Sequence, residues 1–192
     1  MKIPLKEITE IRTGYPFRER IVSVEGGAYG VIQIRDIDKD GKLSMSSISR
    51  VNMDLPAEHY MGVKGDVLLQ NRGVRGIAAV LPAELPNLIV CSHFFIMRPS
   101  ANVLPEYLAW YINSPVGQGY IKSHRRGSYI PIIPKEGLSE MPVVVPPLQV
   151  QRRIVDLDRL ARLENSLLKQ ITDKKNILVQ ALCEKYLENQ AL

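Results

Sequence analysis

The chain has 192 residues, of which 45% are hydrophobic and 23% are charged, a composition typical of a folded globular protein and not of a disordered one. The formal net charge of +5 moderately favours polyanionic partners. No apolar run reaches the roughly 18–20 residues that cross a bilayer, the first residues lack the apolar segment of a signal peptide, and the two cysteines, Cys91 and Cys183, are too few for a disulfide framework or a four-cysteine zinc site. We therefore expect a cytoplasmic protein with reduced thiols and no membrane association.

Proline and glycine divide the sequence into two parts. Residues 1–148 contain all 13 prolines and all 13 glycines, and residues 149–192 contain none. Because these residues punctuate turns and loops, the sequence predicts a domain of short elements over 1–148 and one long helix over 149–192.

The first part is predicted to contain short strands bounded by Gly, Pro, Asn or Ser. In chain order the predicted strands are 29–36, 66–70, 77–81, 88–91, 94–97 and 142–146. Helices are predicted over 105–113, where Pro105 suits the first turn, and from 115 to 123. The predicted fold class is α+β: a curved, mostly antiparallel sheet with a few helices, followed by one long C-terminal amphipathic helix.

The long helix is predicted to begin after Pro146 and Pro147 and to carry an apolar stripe with spacings of three, four or seven. The stripe consists of Ile154, Leu157, Ala161, Leu168, Ile171, Leu178 and Leu182. Glu164 and Lys175 interrupt it. A helix of about 40 residues is about 60 Å long, more than a compact domain can cover, so we expect the stripe to pair with a helix of a second chain. The alternative is a helix that folds back over its own domain.

One motif resembles a metal site. Asp36, Asp38, Asp40 and Gly41 are spaced like the start of a calcium-binding EF-hand loop, but the twelfth position is Ser47, where a bidentate glutamate is needed, and a strand is predicted before it instead of a helix. We interpret the segment as a hairpin turn. Phosphate-binding loops, paired metal-binding histidines and nucleophile elbows are likewise missing from the sequence, which gives no evidence for catalysis or for a cofactor.

Three loop clusters combine basic, amide and aromatic residues: 15–20, 70–75 and 122–129. Arg and Lys neutralise phosphates, and Arg, Gln and Asn make paired hydrogen bonds to base edges. Any one cluster could be an ordinary solvated loop. Three of them in one small domain favour nucleic-acid binding.

With these clusters in place, the chain resembles the specificity subunit of type I restriction–modification systems, with one target-recognition domain followed by one helical region. The resembling segments are Leu5-x-x-Ile8, 14–18, 31–37, 65–69, Arg72-Gly73, 94–98 and 104–112, then Ile130-Pro131, Leu138 and the run from Val143-Val-Val-Pro-Pro-Leu148 through Gln151 to Ile154-Val155. The last run, which opens the long helix, is the most specific of them. The chain departs from the family in size, since members usually carry two recognition domains and two helices.

The resemblance implies a non-catalytic DNA-recognition subunit. Its implied partners are double-stranded DNA, an adenine methyltransferase (modification) subunit, and a translocating restriction subunit. A homodimer of such half-subunits, with antiparallel helices, would rebuild the full architecture and recognise a palindrome split by an unread spacer. A truncated reading frame is the competing explanation of the small size.

Residue type and loop position select the candidate DNA contacts. Base contacts are predicted for Gln33, Arg35, Gln70, Arg72, Arg75, His93 and Tyr129. Phosphate contacts are predicted for Arg18, Arg20, Lys122, Arg125, Arg126 and Ser128. Two other hypotheses stay open: a protein-interaction adaptor that works through its helix and binds no DNA, and a nucleic-acid-processing enzyme with an unrecognised motif.

Overall fold

The structure, a computed structural model, describes residues 2–54, 58–73, 76–82 and 87–188. The chain divides into two compact units, Met1–Arg152 and Arg153–Leu192. The described strands and short helices belong to the first unit, and one helix forms the second. No helix in the described part of the chain is both long and apolar enough to cross a membrane.

The strands are β1 (Lys2–Pro4), β2 (Thr9–Thr13), β3 (Tyr29–Ile32), β4 (Ser49–Val51), β5 (Val67–Gln70), β6 (Ala78–Val80), β7 (Leu88–Val90), β8 (Phe94–Pro99) and β9 (Pro142–Val144). The helices are α1 (Leu5–Ile8), α2 (Pro105–Asn113), α3 (Pro115–His124), α4 (Lys135–Ser139) and α5 (Leu148–Glu188).

The described strands form three sheets. The largest has the order β2-β8-β5-β6 and is antiparallel throughout. The second has the order β4-β3-β7, in which β3 and β7 are parallel, and the third pairs β1 with β9. The α+β class and the mostly antiparallel pairing are confirmed, but the strands are distributed over three sheets. Local patterns indicate which segments are strands and not which distant segment each one joins.

The two larger sheets share one hydrophobic core. Ile32 and Ile89 come from the three-stranded sheet, while Leu68, Phe94 and Ile96 come from the four-stranded sheet, and all five are fully buried. Burying each such side chain contributes about 1.5–3 kcal/mol. This core fixes the ends of β3, β5, β7 and β8 relative to one another.

Helix α2 has the predicted bounds, and its polar side chains hold neighbouring backbone. The Tyr107 and Tyr111 hydroxyls donate hydrogen bonds to the carbonyls of Val144 (2.6 Å) and Pro142 (2.9 Å). The Asn113 side-chain amide bonds both the N–H (2.9 Å) and the C=O (2.8 Å) of Ala78. These bonds satisfy the free edges of β9 and β6, which would otherwise leave buried polar groups unpaired.

Helix α5 begins, as predicted, after two prolines, and its first turn is anchored in the first unit by Gln151, which is fully buried. The Gln151 Oε1 accepts a hydrogen bond from the Leu104 N–H (2.8 Å), and its Nε2 donates to the carbonyls of Asn102 (2.9 Å) and Pro146 (2.8 Å). One glutamine therefore fixes where the helix starts.

Beyond this turn the apolar stripe of α5 is open. Ile154 is half-buried, whereas Leu157, Ile171 and Leu178 are 68%, 63% and 59% exposed. The apolar side chains of this helix thus face solvent in the single chain.

The predicted strand 29–36 was too long. It ends at Ile32, and Ile34–Asp36 form one turn of 3₁₀ helix. The cause is Asp36, whose buried carboxylate accepts hydrogen bonds from the Gln33 N–H (2.8 Å) and from the Ser47 hydroxyl (3.0 Å). This capping interaction bends the backbone away from the sheet.

The hairpin turn predicted in place of a calcium loop is confirmed. The Asp38 carboxylate accepts hydrogen bonds from the backbone N–H groups of Asp40 and Lys42, both at 2.9 Å, and Gly41 adopts a φ of 78°. Within the described residues no group of three His, Cys, Asp or Glu side chains could hold a metal ion.

Candidate nucleic-acid interface

The parallel pairing of β3 and β7 places the segments that follow them at one edge of the sheet. Ile32 is paired with Val90, so residues 33–36 and 91–93 leave the sheet side by side. Gln70 is paired with Phe94, which brings the end of β5 beside His93. The Asn71 N–H donates to the His93 carbonyl at 3.0 Å. We call this region, residues 33–36, 70–73, 91–93 and 125–133, the polar edge.

Two predicted base contacts, Gln33 and Arg35, lie at the start of the 3₁₀ turn and within it. Gln33 Nε2 and Arg35 Nη2 both donate to the Ser49 hydroxyl, at 3.0 Å and 2.5 Å. Arg35 Nε lies 3.9 Å from the buried Asp36 carboxylate, and the Arg35 side chain stays 62% exposed. One end of this guanidinium is therefore anchored while its remaining donors face outward.

Asn71 joins the second cluster to the rest of the polar edge. Its Nδ2 donates to the Ser92 carbonyl (2.8 Å), and its own carbonyl accepts from the Ile133 N–H (3.1 Å). The Gly73 N–H donates to the Pro131 carbonyl at 3.0 Å. The backbone of Arg72, one of the predicted base contacts, pairs with that of Ile132, and its side chain is exposed. Gln70, by contrast, is buried.

The third cluster joins the same structure through residues 131–133. Arg126 and Ile132 exchange two backbone hydrogen bonds of 2.8 Å, which close a short loop with Gly127 at a φ of 95°. The predicted phosphate contacts Lys122, Arg126 and Ser128 are exposed. Tyr129, at the tip of the loop, is 95% exposed.

Arg125 occupies a different environment from its neighbours. It is half-buried, and its guanidinium lies against Gly76, where an added Cβ would stand only 2.9 Å from Nη2. Burial lowers the pKa of the Arg125 side chain. This residue of the third cluster therefore packs against the backbone that follows the second cluster.

His93 is a half-buried side chain at the centre of the polar edge. Burial first, and then the positive charge of Arg72, lower the pKa of His93. At neutral pH the ring is uncharged, so that it offers one donor and one acceptor. Its Nδ1 lies 3.7 Å from the sulfur of Cys91, and burial raises the pKa of that thiol, the opposite of what activates a nucleophile.

Arg18 and Arg20, the other predicted phosphate contacts, are exposed on the loop after β2. The loop leaves the polar edge at Tyr15, whose N–H donates to the Val90 carbonyl at 2.7 Å. It continues to Val24, which bonds the Arg50 carbonyl near the opposite end of β3. The two arginines thus lie on a loop that starts at the polar edge and runs away from it.

The structure therefore brings most of the predicted contacts together. Arg75 lies outside the described residues. Two residues that hold the polar edge were not predicted in these roles from the sequence: Ser49, which is a shared acceptor, and Asn71, whose side chain holds the 91–93 segment. A serine and an asparagine give no local signal of such roles, because both depend on partners 14 to 21 residues away.

One protein family is identified for this chain by its family model. The family model for the type I restriction modification DNA specificity domain matches residues 1–175. No curated protein matches the chain in sequence.

Three solved structures share the fold. One is a chain from a structure that describes complex assembly and conformational transition of the type I R-M system. It is 20% identical to this chain, with a TM-score of 0.73, over 95% of this chain and 43% of that one. The HsdS subunit from Thermoanaerobacter tengcongensis is 21% identical, with a TM-score of 0.62, over 88% and 39%. The type I restriction–modification S subunit from M. genitalium is 14% identical, with a TM-score of 0.56, over 86% and 40%. The chain thus spans less than half the length of each.

Proposed function

Because this chain belongs to the type I restriction modification DNA specificity domain family, we propose that its polar edge is the surface that recognises a DNA sequence. The observation that carries the proposal is that polar side chains from separate segments of the sequence lie together at one edge of the fold. Side chains from the second and third loop clusters, together with Gln33, Arg35 and His93, meet at the ends of β3, β5 and β7. They supply the donors, acceptors and positive charge that base edges and phosphates require.

We assign two roles to the candidate residues, most of which lie on the polar edge. Gln33, Arg35, Gln70, Arg72, Arg75, His93 and Tyr129 are proposed to contact bases, and Arg18, Arg20, Lys122, Arg125, Arg126 and Ser128 to contact phosphates. Exposure supports Arg35, Arg72 and Tyr129 most strongly among the base contacts. Buried Gln70 and half-buried Arg125 would need the loops around them to adjust on binding.

We propose further that two chains act together as a homodimer of half-subunits. Residues 1–148 would be the recognition domain and residues 149–192 the spacer and dimerisation helix, with Ile154, Leu157, Ala161, Leu168, Ile171, Leu178 and Leu182 in the interface. The exposed apolar stripe of α5 supports this arrangement, because a second helix would cover it. Identical domains related by a two-fold axis would recognise a palindrome split by an unread spacer.

In this role the chain has no catalytic activity of its own and needs no cofactor. Its proposed task is to hold an adenine methyltransferase subunit at the target, where that enzyme takes the base out of the stack. A translocating restriction subunit would join the same complex.

The test is selection from a pool of randomised duplexes by the full chain, alone and with an adenine methyltransferase subunit added. We expect enrichment of one split palindrome. A pool that stays random, with no salt-dependent duplex binding, would contradict DNA recognition and support the protein-interaction adaptor instead.

Two substitutions then separate the roles on the selected site. Arg72→Ala should cost about 1–3 kcal/mol and relax specificity at one position. Lys122→Ala should weaken all duplexes alike and reduce the salt slope by about one. Lys64→Ala, at the opposite end of β5, is the matched control and should change neither.

A further inference from the structure

The two charges that interrupt the apolar stripe of α5 occupy mirror positions within it. From Leu157 to Leu182 the stripe residues alternate spacings of four and three, with Glu164 and Lys175 included in the series. The series is symmetric about a point between Lys169 and Gln170. Its mirror pairs are Leu168 with Ile171, Glu164 with Lys175, Ala161 with Leu178, and Leu157 with Leu182.

Glu164 lies among apolar side chains, and both charges occupy positions of the apolar series. Glu164 lines a groove whose other walls include Leu160, Leu163 and Leu167. Along the described part of the helix the ion pairs are Arg159 with Asp156 and Arg162 with Asp158, and among the described residues neither Glu164 nor Lys175 belongs to an ion pair. Covering this stripe without pairing the charges would bury them at a high cost.

We infer that Glu164 of one copy pairs with Lys175 of a second copy, and that these two symmetric ion pairs fix an antiparallel register with the two-fold axis between Lys169 and Gln170. The inference rests on the antiparallel homodimer proposed above and adds to it the register of the two helices and the residues that fix this register. Every apolar member of the series then faces an apolar residue, and both charges are neutralised.

Other arrangements are disfavoured by the same residues. In a parallel pair Glu164 would face Glu164 and Lys175 would face Lys175, so both contacts would be repulsive. Sliding the antiparallel pair by seven residues in either direction puts each charge opposite an apolar residue, for example Glu164 opposite Leu182 or Leu168. Of the arrangements compared, only the proposed register places apolar residues opposite apolar residues and Glu164 opposite Lys175.

The register has a consequence for DNA recognition. The axis lies 21.5 residues from Leu148, where α5 begins, so the two helix starts stand about 65 Å apart at ~1.5 Å per residue. The helix thereby sets the separation between the two recognition domains.

The first experiment measures the dimer dissociation constant of full-length charge variants by sedimentation. Glu164→Lys and Lys175→Glu should each weaken the dimer about tenfold or more, because two attractive pairs become repulsive. The double variant carrying both changes should regain the original value within about threefold. Asp173→Lys and Lys169→Glu make the same charge changes outside the series and should have little effect.

The second experiment determines orientation with a short bis-maleimide cross-linker in a Cys183→Ser background. A mixture of Leu157→Cys chains and Leu182→Cys chains should yield cross-linked dimers, and neither variant alone should. Cross-linking of each variant with itself would indicate parallel helices and overturn the inference while leaving the homodimer intact. Charge variants with the same dimer dissociation constant as the controls would also overturn the inference and leave the homodimer intact. A wild-type chain that sediments as a monomer would refute the homodimer as well.

Discussion

Replacing Gln151 by glutamate should destabilise the first unit by about 3 kcal/mol. The side chain is fully buried and makes three hydrogen bonds of 2.8–2.9 Å. Glutamate keeps the size and the acceptor for the Leu104 N–H but removes the two donors, so that a carboxylate faces the carbonyl oxygens of Asn102 and Pro146. Each buried acceptor left without its bond costs about 1–3 kcal/mol, and two such losses give the expected value.

The assay is urea unfolding followed by the fluorescence of Trp110, the single tryptophan of the sequence, which lies in α2 within the first unit. Gln149→Glu makes the same chemical change at an exposed position of the same helical turn and should change stability by less than about 0.5 kcal/mol. The deficit of Gln151→Glu should shrink at low pH, because a protonated carboxyl can donate to one of the two carbonyls. A loss below 1 kcal/mol at neutral pH would refute the view that Gln151 fixes the start of the helix.

Three further outcomes follow from other buried groups. Asp66→Asn should lower the free energy of unfolding by about 2 kcal/mol, because the buried carboxylate bonds Arg98 through two contacts of 2.9 and 3.0 Å; urea titration measures the loss. Ellman's reagent should label exposed Cys183 at once and buried Cys91 only after unfolding, since burial also raises the Cys91 pKa. Burial lowers the pKa of His93 in the folded protein, so the unfolded chain binds a proton at this residue more readily. The free energy of unfolding should therefore fall as the pH drops below about 6.5. His93→Gln should lose less stability than the wild type between pH 7.5 and 5.5, and an equal loss in both proteins would contradict the lowered pKa of His93.

The elements that the sequence predicts well are those whose signals are local. Helix α2 has its predicted bounds because Pro105 sets its first turn and apolar residues follow at helical spacing. Helix α5 is predicted from two local signals as well: two prolines precede it, and its apolar residues recur at helical spacing. Strands β1 and β2, with the single turn of α1 between them, were not predicted. Each is five residues or shorter and is stabilised by a partner more than 80 residues away, β9 or β8.

The candidate site likewise depends partly on local sequence signals and partly on long-range strand pairing. Residue types and loop positions select the candidate segments, but whether those segments meet depends on strand register. The parallel pairing of Ile32 with Val90 and the antiparallel pairing of Gln70 with Phe94 bring three segments to one edge, and no periodicity within any single segment encodes either pairing. The capping by Asp36, which ends β3 early, is a side-chain effect that the alternation of residues 29–36 concealed.

The polar edge separates the residues that hold it together from those proposed to contact DNA. Asp36 and Asn71 are buried and bond backbone groups or short hydroxyls, whereas Arg35, Arg72 and Tyr129 project from that backbone into solvent. Because the anchors bond mainly backbone atoms, they constrain chiefly the path of the loops. Of the outward side chains, Arg35 is also held at one end by the Ser49 hydroxyl and lies beside the Asp36 carboxylate. Substitution at an outward position is therefore expected to change the sequence recognised at little cost in stability, while substitution at an anchor moves several contacts at once. A domain built in this way can acquire a new target through a few outward side chains and keep the same fold.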